Sequence, residues 1–480
     1  MQIARRFSPH LKQNSLKGKT QPALSRFAEV ELEVETLAYG GKGVARHDGL
    51  VVFVESALPG DRVRAKVTKV RSGHAEAHTV ELLAPGADRV ADTCVHAQGP
   101  CPGAPWQGLP YELQLQHKAQ QVDDALRRIG HLDGYELEPI VPAAQRWRYR
   151  NKLEYSFGEH DGCLVAGFHR RGDWRTIEDI EDCHLASESS NAVRNALRSW
   201  FAEADLPAYD RETNGGLLRN LVVREGRRTG QLQVRLLTSA AAAELDTAAL
   251  ATFVQATFPE VTSLIWSVNH ALADVAHGTE DHLLAGESWI EEELAGLTFR
   301  ILSDAFFQTN TEMAEHLVAV VREFIVGKAA GIKVPRLFDL YCGIGTIGLA
   351  LAGQAEEIWG VDVVEKSIAC AIDSARLNGV ENAHFFAGNA RTAIRPLIER
   401  AGTADVAVVD PPRAGLSQKV VRRVLESKAK RIVYVSCNPT TLAPNARQLV
   451  DAGYRLSRVR AVDMFPHTPH IECVALFEKS

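Results

Sequence analysis

The 480-residue chain is 45% hydrophobic and 24% charged, with a net charge of −6 and a pI near 6.3. That is ordinary soluble globular material with room for about three domains at one per ~150 residues, and it excludes an overall basic surface, so a nucleic-acid partner would have to be met by local positive charge. No apolar run reaches the ~20 residues of a membrane span, and the eight cysteines in so long a chain do not make a disulfide framework, which points to a reducing, cytoplasmic compartment.

Residues 1–28 read as a disordered basic tail (Arg5, Arg6, Lys12, Lys17, Lys19) without the apolar core of a secretory signal. Residues 29–88 read as a small β-barrel of short strands punctuated by Gly40-Gly-Lys-Gly43 and Pro59-Gly60. In Arg62-Val-Arg-Ala-Lys-Val67 the period-two alternation sends apolar residues inward and basic ones outward. An outer stripe of Arg62, Arg64, Lys66, Lys69 and Arg71 suits a single-stranded nucleic-acid backbone, and a merely solvated face explains it equally well.

Residues 89–305 have mixed α/β texture. Tyr111 to Ile129 has helical periodicity with glutamines on its polar side. Arg146-Trp-Arg-Tyr-Arg-Asn-Lys152 interleaves cations and aromatics, a pattern that fits phosphate contact with base stacking or an amphipathic strand with solvated arginines. The alanine-rich stretch from Ala240 to Thr252 reads as surface helix.

Residues 306–480 alternate short apolar runs (337–341, 358–361, 384–386, 406–409, 432–435) with helical segments, the one at Glu365–Leu377 stopping at Asn378-Gly379. This alternation predicts a doubly wound parallel sheet with its ligand at the carboxyl ends of the strands. Residues 454–463 and 471–477, with no helix between them, predict a hairpin closing the sheet edge.

The chemistry concentrates here. Gly343-Ile-Gly-Thr-Ile-Gly348 follows a strand, and Asp362 ends the next one, an arrangement that cradles a nucleotide-type cofactor and accepts hydrogen bonds from ribose hydroxyls. Nicotinamide dehydrogenases use the same device, but they have no need of Asp410-Pro-Pro-Arg413 after the fourth strand or of Cys437 after the fifth. C5 of uracil becomes nucleophilic only after addition at C6, for which a thiolate is suited, and release then requires a base for the C5 proton. Cys437 in Ser-Cys-Asn-Pro and Glu472 in His-Ile-Glu fit these roles; alone, the first would be a small buried hydrophobe and the second an exposed acid. Cys342, Cys370 and Cys473 read as such structural cysteines.

Together the Asp-Pro-Pro-Arg, Ser-Cys-Asn-Pro and His-x-Glu motifs resemble those of the RNA uridine-5-methyltransferase family, and the resemblance covers nearly all of the chain after the tail. It implies a C-terminal Rossmann-like methyltransferase domain, a mixed α/β central domain and an OB-like N-terminal TRAM barrel. Carried over residue by residue, it makes Cys437 the nucleophile and Glu472 the base. S-adenosylmethionine contacts fall on Gln308, Tyr341, Thr346 (a position often held by asparagine), Asp362 and Asp410, with Asn389 on the adenine side. Members with an iron–sulfur cluster show Cys-x5-Cys-Gly-x-Cys and a distant fourth cysteine. Here Cys94, Cys101 and Cys183 match three ligands of a four-iron (4Fe-4S) cluster, the first gap is six residues, and Ala104 replaces the remaining cysteine. The resemblance implies a monomeric cytoplasmic enzyme acting on RNA, with ribosomal RNA favoured over transfer RNA. A cytosine-5 enzyme would carry a second cysteine beside the proline of the fourth-strand motif, and a non-catalytic RNA-binding protein would not need Cys437 and Glu472 intact.

Overall fold

The computed structural model describes residues 24–98, 101–240, 245–270, 278–327 and 333–480, so most of the basic tail lies outside the described residues. The chain forms two compact units, one from residues up to 87 apart from 39–41 and the other from 39–41 with 88–480.

The first unit is a closed barrel ordered β1-β2-β3-β5-β4, from strands β1 (Glu29–Leu37), β2 (Gly43–His47), β3 (Leu50–Glu55), β4 (Arg62–Val70) and β5 (His74–Ala84). As the alternation requires, Val63, Ala65 and Val67 are fully buried in it. Asp61 closes the Pro59-Gly60 turn, its buried carboxylate accepting from the Leu58 and Gly86 amides at 2.8 and 3.0 Å. The outer stripe is less basic than its sequence, because Arg62, Arg64 and Lys69 pair with Glu31, Glu81 and Glu76.

The second unit carries two main sheets. Strands β7 (Lys152–His160), β8 (Cys163–Arg170), β9 (Asp173–Asp179), β10 (Leu218–Glu225), β11 (Leu232–Thr238), β12 (Val261–Val268) and β13 (Glu280–Gly286) form a seven-stranded sheet ordered β13-β12-β11-β10-β7-β8-β9. Helices α2 (Glu188–Glu203) and α3 (Thr247–Thr257) pack on its apolar face through Val193, Leu197, Phe201, Leu250 and Val254. The alanine-rich stretch thus contributes a helix from Thr247, half anchored in the core; residues 241–244 lie outside the described residues. A hairpin, β14 (Trp289–Leu294) and β15 (Leu297–Leu302), leads into α4 (Thr311–Val326).

The eight-stranded sheet is ordered β18-β17-β16-β19-β20-β22-β21-β6. Its parallel part is β16 (Val334–Leu340), β17 (Ala355–Asp362), β18 (Ala383–Ala387), β19 (Val406–Val409) and β20 (Arg431–Ser436). Antiparallel β22 (Glu472–Lys479) pairs with β20 and with β21 (Tyr454–Val462). The expected hairpin therefore forms but does not close the edge, because β6 (Glu136–Val141), from far upstream, lies parallel outside β21. Glu138 on β6 is buried and paired with Arg458 and Arg460 of β21, and such a short, charged strand is hard to recognise from hydrophobic pattern.

Helices α4, α5 (Thr346–Ala350) and α6 (Glu365–Leu377) bury one face of this sheet. Helices α1 (Tyr111–Asp124), α7 (Ala390–Ala401), α8 (Gln418–Glu426) and α9 (Pro439–Asp451) bury the other. Strand β16 sits in the middle with Leu337 facing the first layer and Phe338 and Leu340 the second, all fully buried, as parallel strands covered on both faces require. Phe338→Ala should destabilise this unit by about 3–5 kcal/mol, lowering the urea midpoint followed by tryptophan fluorescence.

Candidate active site

The register of the parallel strands aligns their carboxyl ends: Leu340 opposes both Val361 and Val409, and Val409 opposes Tyr434. The residues leaving these ends, Tyr341, Asp362, Asp410 and Cys437, therefore gather along one rim, where an open α/β sheet binds its ligand. On the far side of β20, Ser436 opposes Cys473 in an antiparallel pair. One step further, that register sets Cys437 opposite Glu472.

Between β16 and α5 the chain turns through Gly345, whose φ of 80° is left-handed and whose Cβ would meet the Phe385 ring at 3.0 Å and Ala371 at 3.1 Å. Gly348 comes so close to β16 that a Cβ would lie 2.7 Å from Asp339 Oδ2, which instead accepts the Gly348 amide at 2.9 Å. Asp339 is fully buried, and burial pushes its carboxyl up to about 7. Sequence reading missed this residue; a lone acid inside the apolar run Leu337-Phe-Asp-Leu340 was the available signal. Asp362 accepts from Gly343 and Val364 amides at 3.0 and 2.9 Å, so it shapes the loop as well as facing the rim. Thr346, half-buried, is the first residue of α5. Asn389 is exposed and caps α7 by accepting the Arg391 amide, which commits its carbonyl oxygen to the helix. Gln308 lies between β15 and α4, where its carbonyl accepts from Asn151 Nδ2 at 2.9 Å.

The thiol of Cys437 is half-buried and pushed up to about 11, mainly by burial, then by the charge of Glu472, while Arg413 opposes the shift. Glu472 is buried and its carboxyl lies well above the usual carboxylate range, through burial first and Asp410 second, again opposed by Arg413. Asp410 is itself raised to about 7 by burial, with Asp339 adding to it. Arg413 is thus the cation common to both groups, and its guanidinium also reaches His470 Nδ1 at 3.3 Å. Its carbonyl accepts from Asn438 and Thr441, tying the Asp-Pro-Pro-Arg corner to the start of α9.

Most of Arg146–Lys152 is engaged within the unit, while Arg146 stays exposed. Tyr149 is fully buried, Arg148 is spent on Asp182 and the Cys183 and Ala186 carbonyls, and the Trp147 ring stacks on His467 at 4.0 Å. It is a junction inside the unit. Cys342, Cys370 and Cys473 are buried, as structural cysteines should be.

Cys94, Cys101 and Cys183 line one cavity of about 20 Å³ together with His96, Ala104 and Trp147. Among the described residues no group of three or more His, Cys, Asp or Glu side chains is placed to hold a metal ion. The donors do not fit a four-thiolate cluster either. Ala104 presents a methyl group where a fourth thiolate would be needed, and the His96 ring lies 3.8 Å from Cys94 Sγ as a partner of that thiol.

A 3-2-1-4-5 parallel order with an antiparallel hairpin inserted beyond strand five, a glycine turn after strand one and an acid after strand two define a class I S-adenosylmethionine-dependent methyltransferase. Comparison with known proteins gives the family. Residues 275–480 match the model of tRNA (uracil-5-)-methyltransferases and residues 24–80 that of the TRAM domain. A protein named as an uncharacterized RNA methyltransferase of Halalkalibacterium halodurans is 37% identical over 96% of this chain and 99% of its own. A Bacteroides thetaiotaomicron protein so named is 37% identical over 92% of this chain and 100% of its own. The crystal structure of Pyrococcus abyssi tRNA (uracil-54, C5)-methyltransferase with S-adenosyl-L-homocysteine superposes with a TM-score of 0.73 at 28% identity, covering 93% of this chain and 100% of that one. The chain belongs to the RNA uracil-5-methyltransferase family and carries its TRAM domain.

The glycine turn fits the cofactor: a Cβ at Gly343 would meet open space, so the backbone there is bare to a ligand, with the Asp362 carboxylate beside it. Gly345→Val should weaken S-adenosylmethionine binding at least tenfold by calorimetry while leaving the circular dichroism spectrum unchanged.

Proposed function

We propose that this protein methylates C5 of a uridine in RNA through covalent catalysis, with Cys437 as nucleophile and Glu472 as base. The observation that carries this reading is the β20–β22 register, which brings a thiol and a carboxylate from opposite strands to one rim beside the glycine turn. Gln308, Tyr341, Thr346, Asp362, Asp410 and Asn389 are assigned to the cofactor, which supplies an electrophilic methyl group to C5.

Cys437, once its thiol proton has passed to solvent, adds as thiolate to C6, and the electrons of the C5–C6 bond move to the C4 carbonyl as an enolate. Once C5 carries the methyl group, Glu472 takes the C5 proton, the C5–C6 double bond re-forms and the thiolate leaves. The electrostatics suit this order. Glu472 raises the Cys437 thiol and Asp410 raises Glu472, so the pocket disfavours a second negative charge. A protonated Glu472 leaves the thiolate unopposed before attack. After attack the sulfur is a neutral thioether, so Glu472 can give its proton to solvent and stand as the carboxylate that takes the C5 proton.

Cys437→Ala should form no adduct. Glu472→Gln should accumulate a methylated protein–RNA species stable to denaturing electrophoresis, and normal turnover of that variant would remove Glu472 from its role. Because Glu472 acts only when ionised and its carboxyl is raised, turnover should fall as pH drops through that raised value. This acid limb should lie above the usual carboxylate range and vanish in Glu472→Gln.

Ribosomal RNA is the substrate favoured by the motif resemblance, and the likeness to the Pyrococcus abyssi enzyme, which is named for transfer RNA, supports the second reading. Nucleoside mass spectrometry of both RNAs from a deletion strain decides which one loses 5-methyluridine. With Arg62, Arg64 and Lys69 already paired to carboxylates, Lys66 and Arg71 are assigned the barrel's phosphate contacts. Lys66→Ala with Arg71→Ala should lower the salt slope of RNA binding by roughly 0.7 per lost contact.

A further inference from the structure

Residues 463–467, between β21 and β22, are each held by a side chain from far upstream. The Asp463 carboxylate receives Lys118 Nζ at 2.6 Å and the Tyr111 hydroxyl at 2.8 Å, and both members of the ion pair are wholly buried. The Met464 carbonyl accepts from Asn310 Nδ2 at 2.9 Å, the Phe465 carbonyl from Lys118 Nζ at 2.9 Å, and the Pro466 carbonyl from the Tyr149 hydroxyl at 3.1 Å. Gln114 takes the His467 amide on its Oε1 at 2.9 Å and meets Nδ1 through its Nε2 at 3.1 Å, while Trp147 covers the imidazole.

His467 needs this restraint. Its φ of 64° is left-handed, a conformation that a non-glycine residue keeps only when its surroundings impose it. The helix that supplies most of the restraint is built against ordinary patterning. Tyr111, Gln114 and Lys118 share one face of α1 at spacings of three and four, and all three are buried. A face meant only for packing would be apolar, since a buried ion pair is commonly no more stabilising than hydrophobic residues of similar volume.

We propose that the buried Lys118–Asp463 pair, with Gln114 and Trp147, positions Glu472 for proton removal, so that α1 serves as a geometric clamp on the catalytic segment. The proposal rests on the reading of Glu472 as the base. The four are positioning residues: Lys118, Gln114 and Trp147 hold Asp463, Phe465 and His467, ahead of the turn into Glu472, and none touches the reacting atoms. Losing the clamp lets the carboxylate move relative to C5, and a displacement of about 1 Å suffices for a roughly hundredfold loss of rate.

The test replaces the pair by apolar residues of similar size, Lys118→Met with Asp463→Leu, in the full-length protein, beside Glu472→Gln. The double variant should keep its melting temperature within a few degrees, its S-adenosylmethionine affinity and its KM for RNA. Its kcat should fall at least tenfold, with the methylated adduct accumulating as in Glu472→Gln. Gln114→Met, which removes the hydrogen bonds to His467 and leaves the ion pair, should show the same kcat loss and keeps the test decisive if the double variant does not fold. Trp147→Phe, which retains a stacking ring, should restore most of the rate lost in Trp147→Ala. Wild-type kcat in the double variant, or in Gln114→Met where that variant alone is soluble, overturns the proposal. An adduct in Glu472→Gln but not in the slowed variants also overturns it. Absence of the adduct in Glu472→Gln itself strikes the base assignment instead, and kcat at unchanged KM then decides the clamp on its own.

Discussion

The antiparallel insertion of β22 between β20 and β21 is the constraint on which the site depends. Five parallel strands alone would bring Tyr341, Asp362, Asp410 and Cys437 to a rim, as any open α/β sheet brings its strand ends together. Only a strand running the other way can start where they finish. Glu472 is the first residue of β22, so it arrives at the rim from the opposite direction, beside a thiol that has just left β20. Slipping this pairing by one residue would turn Val474, Leu476 and the rest of the strand to the wrong faces of a sheet buried on both sides, so the core fixes the register and the register fixes the site.

What was legible in the sequence follows from which forces act locally. The parallel strands are apolar runs bounded by helical segments, and the Glu365–Leu377 helix carries its own stop at Asn378-Gly379, so both could be read without tertiary information. The barrel strand Arg62–Val70 declared its inner face by alternation. Elements that depend on distant partners could not be read this way. Strand β6 is a short run with a glutamate at its centre, and only the two arginines of β21 explain that residue's burial. Gln114 of α1 looks like part of a solvated face until the carbonyls and the imidazole it serves are in view.

The site shows the same division. Motif residues at strand ends were found because turn chemistry and strand pattern coincide there. Asp339, which holds the glycine turn against β16, has no local signature beyond an acid in an apolar run, and the part Arg413 plays between Cys437 and Glu472 is visible only once its motif is folded. For the three cysteines the sequence already showed the departure, with Ala104 in place of a fourth thiol, and the fold adds that Cys94, Cys101 and Cys183 line one small cavity with that alanine.

The pairing of β6 with β21 also sets an order of events during synthesis. Glu136–Val141 leaves the ribosome more than 300 residues before Tyr454–Val462, the strand it must join. The seven-stranded sheet lies wholly between them in sequence and can close while β6 still has no neighbour. Until the last strands emerge, β6 is an unpaired edge, and its short length and alternating glutamates guard it against pairing with another nascent chain. The final fifty residues therefore complete the sheet, bury Glu138 and bring in Glu472 in one late step, so a truncated chain lacks both the last strands of its sheet and the carboxylate beside its thiol.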